Sequence, residues 1–325
     1  MGELAVSGYV SVIVMPSNVA GPPAEVVACA GCASQLPDPW LIVRDPPSAS
    51  SSLDNGTAKS ALWDFNDLLV SAPALRECPR PRLVIAVRTE AHRRAQRNVI
   101  RRTWGHPGNY ANCSLRVVFI MGAENVRRVT KVVKAEFQLY RDMVVELTPS
   151  RWWQPTCTLV LAIEWVPYYY LDASLAVVIR DDTFVRVKAV ISAIDSFSRS
   201  TGDFFGRVTF SRRPEYTGPQ LEGCAIFVKP RALARLQPAF ADEPLTCDLE
   251  DALVTGRLAR KANLNIVHDV NMEPCDNVVE GADSDARYDG MPDGLLTRSG
   301  VSVRGMERLY LWDMGSYHKL TASIP

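Results

Sequence analysis

"VVIRDDTF", residues 177–184, is an apolar run that ends in an arginine, two aspartates and a turn residue. Its upstream part, "LAVVI" at 175–179, is continuously apolar, the pattern of a strand buried on both faces. Such strands belong to mostly parallel sheets covered by helices. Open sheets of that kind bind ligands outside the carboxyl ends of their strands, and the aspartate pair stands at such an end. Acidic oxygen ligands suit Mg²⁺ or Mn²⁺ bridging a diphosphate. The same pair also reads as a turn-forming or capping element, and residues alone leave both readings open.

Working upstream, "RLVIAV" (82–87), "LRVVFIMG" (115–122) and "MVVEL" (143–147) read as further buried strands. Between them, "AHRRAQRNVIRRTW" (91–104) predicts a polar helix with Ala95, Val99 and Thr103 on its buried stripe. A second helix is expected from about Val126 to Tyr140. "TLVLAIEWVPYYYL" (158–171) predicts a buried helix ending near Pro167. This alternation of strands and helices implies an α/β fold. Downstream the pattern is mixed. "GDFFGRVTF" and "GCAIFVKP" read as strands, Pro230 opens the helix "RALARL", and "LEDALVTGRLARKA" (249–262) predicts another helix. Its Glu250-Asp251 pair sits near the helix start, where negative charge is favourable. If that end faced Asp181 and Asp182, one carboxylate could act as a general base toward a hydroxyl. Residues 273–300 read as a loop.

The chain has 325 residues, 47% apolar, with 36 basic and 36 acidic side chains. Zero formal charge gives no argument for bulk binding of nucleic acid or acidic membrane, and no nucleic-acid partner is expected. Arg88 and the arginines between 93 and 102 form a basic face, either solvated or touching phosphate. Residues 1–60 are Pro-, Ala-, Ser- and Gly-rich, with "PPSASSSLDNG" as a linker, and predict an unstructured arm before a domain at 61–325. The C-x-x-C of Cys29 and Cys32 lies in that arm without the second pair a zinc site needs. No apolar stretch reaches spanning length, and no basic n-region of a signal peptide is visible, so the residues as written read as a soluble chain, with the completeness of the N-terminus left open. Eight cysteines and the sequons at Asn55 and Asn112 lean toward the secretory pathway. There is no G-x-G-x-x-G or P-loop, so a nucleotide must be held by side chains and metal. The histidines lack metal-ligand spacing; His268, in "NIVHDV", is the best candidate ligand among them.

Several blocks, in order, resemble the beta-1,3-galactosyltransferase family (glycosyltransferase family 31). "RRAQRNVIRRTWG" is similar to its R-x-x-I-R-x-T-W-G, "VVFIMG" to its F-L-L-G strand, and "VVIRDDTFVRV" to its D-D-D-V-F-V metal motif. "GCAIFV" resembles G-x-G-Y-V, and "LEDALVTG" resembles E-D-V-x-x-G. "LWDFNDLLVSAPALREC" (62–78) is similar to a stem-proximal segment of arthropod-type members. The resemblance implies a GT-A fold, a Rossmann-like sheet with a mixed second half. It also implies inverting transfer of galactose or an N-acetylhexosamine from a UDP-sugar to the 3-hydroxyl of a glycan acceptor on a glycoprotein or glycolipid, in the Golgi and at its membrane. Carried over by residue, Asp182 becomes the direct metal ligand, with Asp181 beside it. Beside these, the basic face supplies Arg97 and Arg101 as donor-binding candidates, and His268 stays the candidate further ligand of Mn²⁺ or Mg²⁺. Asp251 becomes the general base, with Glu250 next to it.

Four departures stand out. Arg180 replaces the first aspartate of the motif. Strand alternation puts it on the side of Asp182, where a guanidinium can pair bidentately with that carboxylate and compete with a metal. Thr158 falls where the family has lysine, in N-L-T-L-K-T. Thr297-Arg298-Ser299 falls where it has T-V-H. Ala225 and Ile226 also replace the second Gly and the Tyr of G-x-G-Y-V. These changes leave a second reading open, a catalytically degenerate member that binds sugar or a partner without turnover.

Overall fold

A computed structural model describes residues 68–70, 80–111, 114–122, 131–146, 157–213, 216–240, 251–275 and 290–315. The arm, the Cys29/Cys32 pair, both sequons and Glu250 lie outside the described residues. In chain order the elements are β1 (Leu68–Val70), β2 (Leu83–Arg88), α1 (Arg94–Arg102), β3 (Leu115–Gly122), α2 (Lys131–Tyr140) and β4 (Met143–Glu146). There follow α3 (Cys157–Tyr170), β5 (Leu175–Arg180), β6 (Phe184–Val185), α4 (Val187–Arg199), β7 (Phe204–Gly206), β8 (Val208–Arg213) and β9 (Tyr216–Leu221). The remainder are β10 (Ala225–Val228), α5 (Pro230–Phe240), a π-helix (Ala252–Leu258) continued by α6 (Ala259–Lys261), β11 (Ile266–His268), β12 (Thr297–Arg298) and α7 (Val303–Asp313).

Eight strands form one sheet in the order β1-β4-β3-β2-β5-β10-β7-β11. β4, β3, β2 and β5 are mutually parallel, the expected Rossmann-like half. β10 runs antiparallel to both β5 and β7, and β11 lies parallel to β7, which makes the second half mixed. Alternate residues serve opposite faces. Val84, Ala86, Val118 and Val178 pack under α3 and α5, while Ile85, Val87, Phe119 and Ile179 pack under α1, α2, α4 and α7. Both faces being covered is why these strands are uninterrupted apolar runs.

Three local expectations are corrected. The helix at 91–104 begins only at Arg94, and Ala95 is exposed; the buried face is Arg97, Val99 and Ile100, followed by Thr103 and Trp104. α3 passes through Pro167 rather than ending there. Its Leu159–Ile163 and Trp165–Val166 faces are buried together, so tertiary packing outweighs one missing backbone bond. The stretch at 249–262 is mainly π-helix rather than α-helix. The spacing from Glu250 to Gly256 is one residue longer than E-D-V-x-x-G, and an i→i+5 turn absorbs an extra residue.

Candidate active site

The chain lays down β2, β3 and β4 in one direction across the sheet and then returns to place β5 on the other side of β2. A crevice opens at the carboxyl ends of strands where the order reverses in this way. The register pairs Arg88, last in β2, with Arg180, last in β5. Beyond them a cavity of about 270 Å³ is lined by Arg88, Thr89, Glu90, Arg93, Thr158, Arg180 and Asp181. Thr158, at the position of the family's lysine, therefore stands at the cavity wall.

After β5 the chain turns sharply, with the Thr183 N–H donating to the Arg180 carbonyl at 3.1 Å. Asp181 turns inward. Its Oδ2 accepts from the Thr89 hydroxyl at 2.6 Å and its Oδ1 meets the Arg93 guanidinium at 3.2 Å. Burial pushes this carboxyl above the ordinary aspartate range, against the pull of Thr89 and Arg93. Asp182 accepts a hydrogen bond from Arg180 on Oδ2, through one guanidinium nitrogen rather than the fork. Its Oδ1 is buried and has no hydrogen-bond partner. The segment that the alignment placed at T-V-H does come to this spot: β12 pairs with β6, and the Val301 N–H donates to the Asp182 carbonyl at 2.7 Å. Ser299 there donates to the Pro274 carbonyl at 2.9 Å.

Asp251 reaches the same place from the start of the π-helix. It does not cap its own helix. Instead its Oδ2 accepts from the Gly223 N–H at 2.9 Å, and its Oδ1 is buried without a partner. Burial raises the Asp251 carboxyl above the ordinary range, and the Arg88 and Arg180 cations, near enough to be felt, partly oppose that. Gly223 is required by space alone, because a Cβ on it would lie 2.0 Å from Asp251 Oδ1. The β9–β10 turn carrying Gly223 is fixed three ways. Arg88 donates to the Gly223 carbonyl, Cys224 is disulfide-bonded to Cys275, and the Cys275 N–H donates to Glu222 at 2.8 Å. Thr89 and Gly223 were not among the site residues expected from sequence, whereas Arg88 and Arg93 belong to the basic face read as solvated or touching phosphate. The signal available was that "LVIAVR" and "LAVVIR" both end in arginine, the mark of two strands meeting one polar crevice.

The other expected residues lie elsewhere. Arg97 is wholly buried and binds Glu136 through two bonds of 2.8 Å, with further bonds to the carbonyls of Glu90 and Ala91. It reaches the site only through the Glu90 carbonyl and a 3.3 Å contact with the Thr89 hydroxyl, so it supports the site from behind rather than meeting phosphate. Arg101 pairs with Glu136 at 2.7 Å and Asp142 at 2.8 Å, and its guanidinium lies over the Phe119 and Tyr140 rings. It has no donor to offer at the carboxyl ends of the strands. His268 is exposed and accepts the Val208 N–H on Nδ1 at 3.0 Å, at the far strand β11. Among the described residues it does not converge with Asp181 and Asp182 as a ligand set.

Those positions decide how well a divalent ion fits. Both Asp181 oxygens are engaged, and Asp182 keeps one free oxygen beside Arg180. A dication about 4 Å from a guanidinium is repelled by roughly 8 kcal/mol at an effective dielectric of about 20. The donor set therefore does not fit a protein-held Mn²⁺ or Mg²⁺.

The Galactosyltransferase family model matches residues 95–233, from α1 into α5 and through the aspartate pair. Over those residues, less than half of the chain, the sequence is similar to the galactosyltransferase family. It is 28% identical over 152 residues to beta-1,3-galactosyltransferase 5 of Pan troglodytes, covering 46% of this chain and 50% of that protein. It is 30% identical over 135 residues to lactosylceramide 1,3-N-acetyl-beta-D-glucosaminyltransferase of Xenopus tropicalis, covering 39% and 36%. The match thus spans half or less of the length of these relatives. Among solved structures, the bifunctional glycosyltransferase WbbM aligns with 59% of this chain and 39% of its own, at TM-score 0.35 and 10% identity, too remote to argue from. Arg88 and Asp251 lie outside the matched residues 95–233.

Proposed function

We propose that this protein transfers galactose or an N-acetylhexosamine from a UDP-sugar to the 3-hydroxyl of an acceptor glycan, with inversion. The observation that carries the reading is Asp251, whose Oδ1 is buried without a partner, whose Oδ2 is held by the Gly223 N–H, and whose burial-raised carboxyl feels Arg88 and Arg180 of the cavity wall. A carboxylate raised toward neutral pH is suited to general-base work. Asp251 takes the proton of the acceptor hydroxyl as that oxygen bonds to the anomeric carbon. The bond from that carbon to the β-phosphate oxygen breaks on the opposite face, and its electron pair leaves with UDP. Mn²⁺ or Mg²⁺, expected from the family, would find Asp182 Oδ1 as the one uncommitted oxygen of the pair, and no step here needs it. The Cys224–Cys275 bond fits an oxidising compartment, consistent with the Golgi lumen. No helix among the described residues is long and apolar enough to cross a membrane.

The test is UDP release and product formation with UDP-galactose, UDP-N-acetylglucosamine and UDP-N-acetylgalactosamine over a broad glycan panel. Turnover of at least one donor is expected; none with any donor would remove the reading. The Arg180–Asp182 ion pair also favours a second reading, sugar binding without turnover, for which a bound UDP-sugar that is never consumed would be the signature.

A further inference from the structure

We infer that the site binds the donor's diphosphate through guanidinium groups in place of a metal, with Arg180 as the chief contact. This rests on the UDP-sugar reading above and specifies how that donor is held. The 270 Å³ cavity presents three guanidinium groups, from Arg88, Arg93 and Arg180, and two carboxylates, from Glu90 and Asp181. Each cation is oriented by a fixed partner. Arg88 is tied to the Gly223 carbonyl, Arg93 to Asp181 at 3.2 Å, and Arg180 to Asp182. A guanidinium has five N–H donors, and these bonds engage only some of them at Arg93 and Arg180. The Arg93 and Arg180 side chains stay 28% and 42% exposed, so their remaining donors meet whatever enters. Planar forks of this kind match phosphate oxygens and carry fixed positive charge.

The same substitution thus has two effects. Arg180 removes one carboxylate from the metal motif and occupies another, and it puts a cation where the metal's charge would act on the leaving UDP. The β2–β5 register brings Arg88 opposite Arg180, so the two guanidinium groups meet one crevice. The charge that develops on the departing diphosphate is met by preorganised donors, which is how such stabilisation works without an ion.

Calorimetry of the full chain with UDP, UMP and inorganic pyrophosphate, in EDTA and then in Mn²⁺, tests this. UDP should bind in EDTA, with an affinity that Mn²⁺ changes less than about threefold, and more tightly than UMP. Arg180→Ala should weaken UDP about tenfold and UMP little, while Arg93→Ala, on another element, should weaken UDP similarly. Circular dichroism of both variants checks folding. Arg180→Asp should abolish binding in EDTA and make it depend on Mn²⁺. UDP binding by the native chain only when Mn²⁺ is added would overturn the inference and leave the transferase reading standing. Failure of UDP to bind in either condition would overturn both.

Discussion

Replacing Gly223 by alanine should disable the proposed base without touching the donor cavity. A Cβ at position 223 would lie 2.0 Å from Asp251 Oδ1, 2.6 Å from Cγ and 2.7 Å from Oδ2, where ordinary contact begins at 3.4 Å. The carboxylate must therefore retreat by about 1.4 Å, and the 2.9 Å bond from the Gly223 N–H cannot survive that shift intact. A misplacement of about 1 Å costs on the order of 100-fold in rate, so kcat should fall by about that factor. Loss of a hydrogen bond to a charged, buried group costs about 1.5–3 kcal/mol, which lowers Tm by roughly 3–12 °C in a domain of this size. UDP-sugar turnover, UDP calorimetry and a thermal melt separate these effects. UDP affinity should stay within about twofold of the native chain. In an Asp251→Asn background the alanine should cost little further activity, since residues acting as one unit are not additive. Full kcat in Gly223→Ala would refute the reasoning, because the carboxylate's position would then be irrelevant to turnover.

Four further expectations follow from the same geometry. Because burial raises the Asp251 carboxyl, the acid limb of kcat against pH should lie above 3.8, with activity rising as the base ionises, and kcat measured across the acid range locates it. Glu136 is wholly buried among Arg97 and Arg101, so Glu136→Ala should destabilise by about 3–5 kcal/mol in urea unfolding; a loss under about 1 kcal/mol would contradict the account. Burial pushes the Glu136 carboxyl up, but the hydrogen bonds from Arg97 and Arg101 outweigh that and hold it below 4.5. Its stabilising contribution is therefore present above pH 4.5 and lost as pH falls through the lowered value, a window that acid titration of stability would reveal. Reducing Cys224–Cys275, which closes 51 residues of sequence separation, should cost about 4 kcal/mol by chain entropy and slow turnover, because Cys224 adjoins Gly223.

The strands were legible because burial on both faces writes them as unbroken apolar runs, and β3 matches "LRVVFIMG" end to end. The aspartate pair was legible as a site because it ends such a strand. What the sequence hid is what depends on register and on packing between distant segments. Nothing local says that Arg88 and Arg180 stand opposite one another, or that Gly223 leaves room for a carboxylate 28 residues later. Arg97 and Arg101 read as part of a basic face open to phosphate, and nothing local shows that Glu136, on another helix, takes up their charge in the interior. Pro167 and the π-turn defeat helix rules for a related reason. Those rules describe isolated helices, and here the surrounding core decides.

The most direct measurement is single-turnover transfer from a bound UDP-sugar, comparing the native chain with Asp251→Asn after both are matched for UDP affinity. The account predicts that the variant binds UDP as the native chain does and transfers at least about 100-fold more slowly. Transfer at the native rate by Asp251→Asn would contradict it.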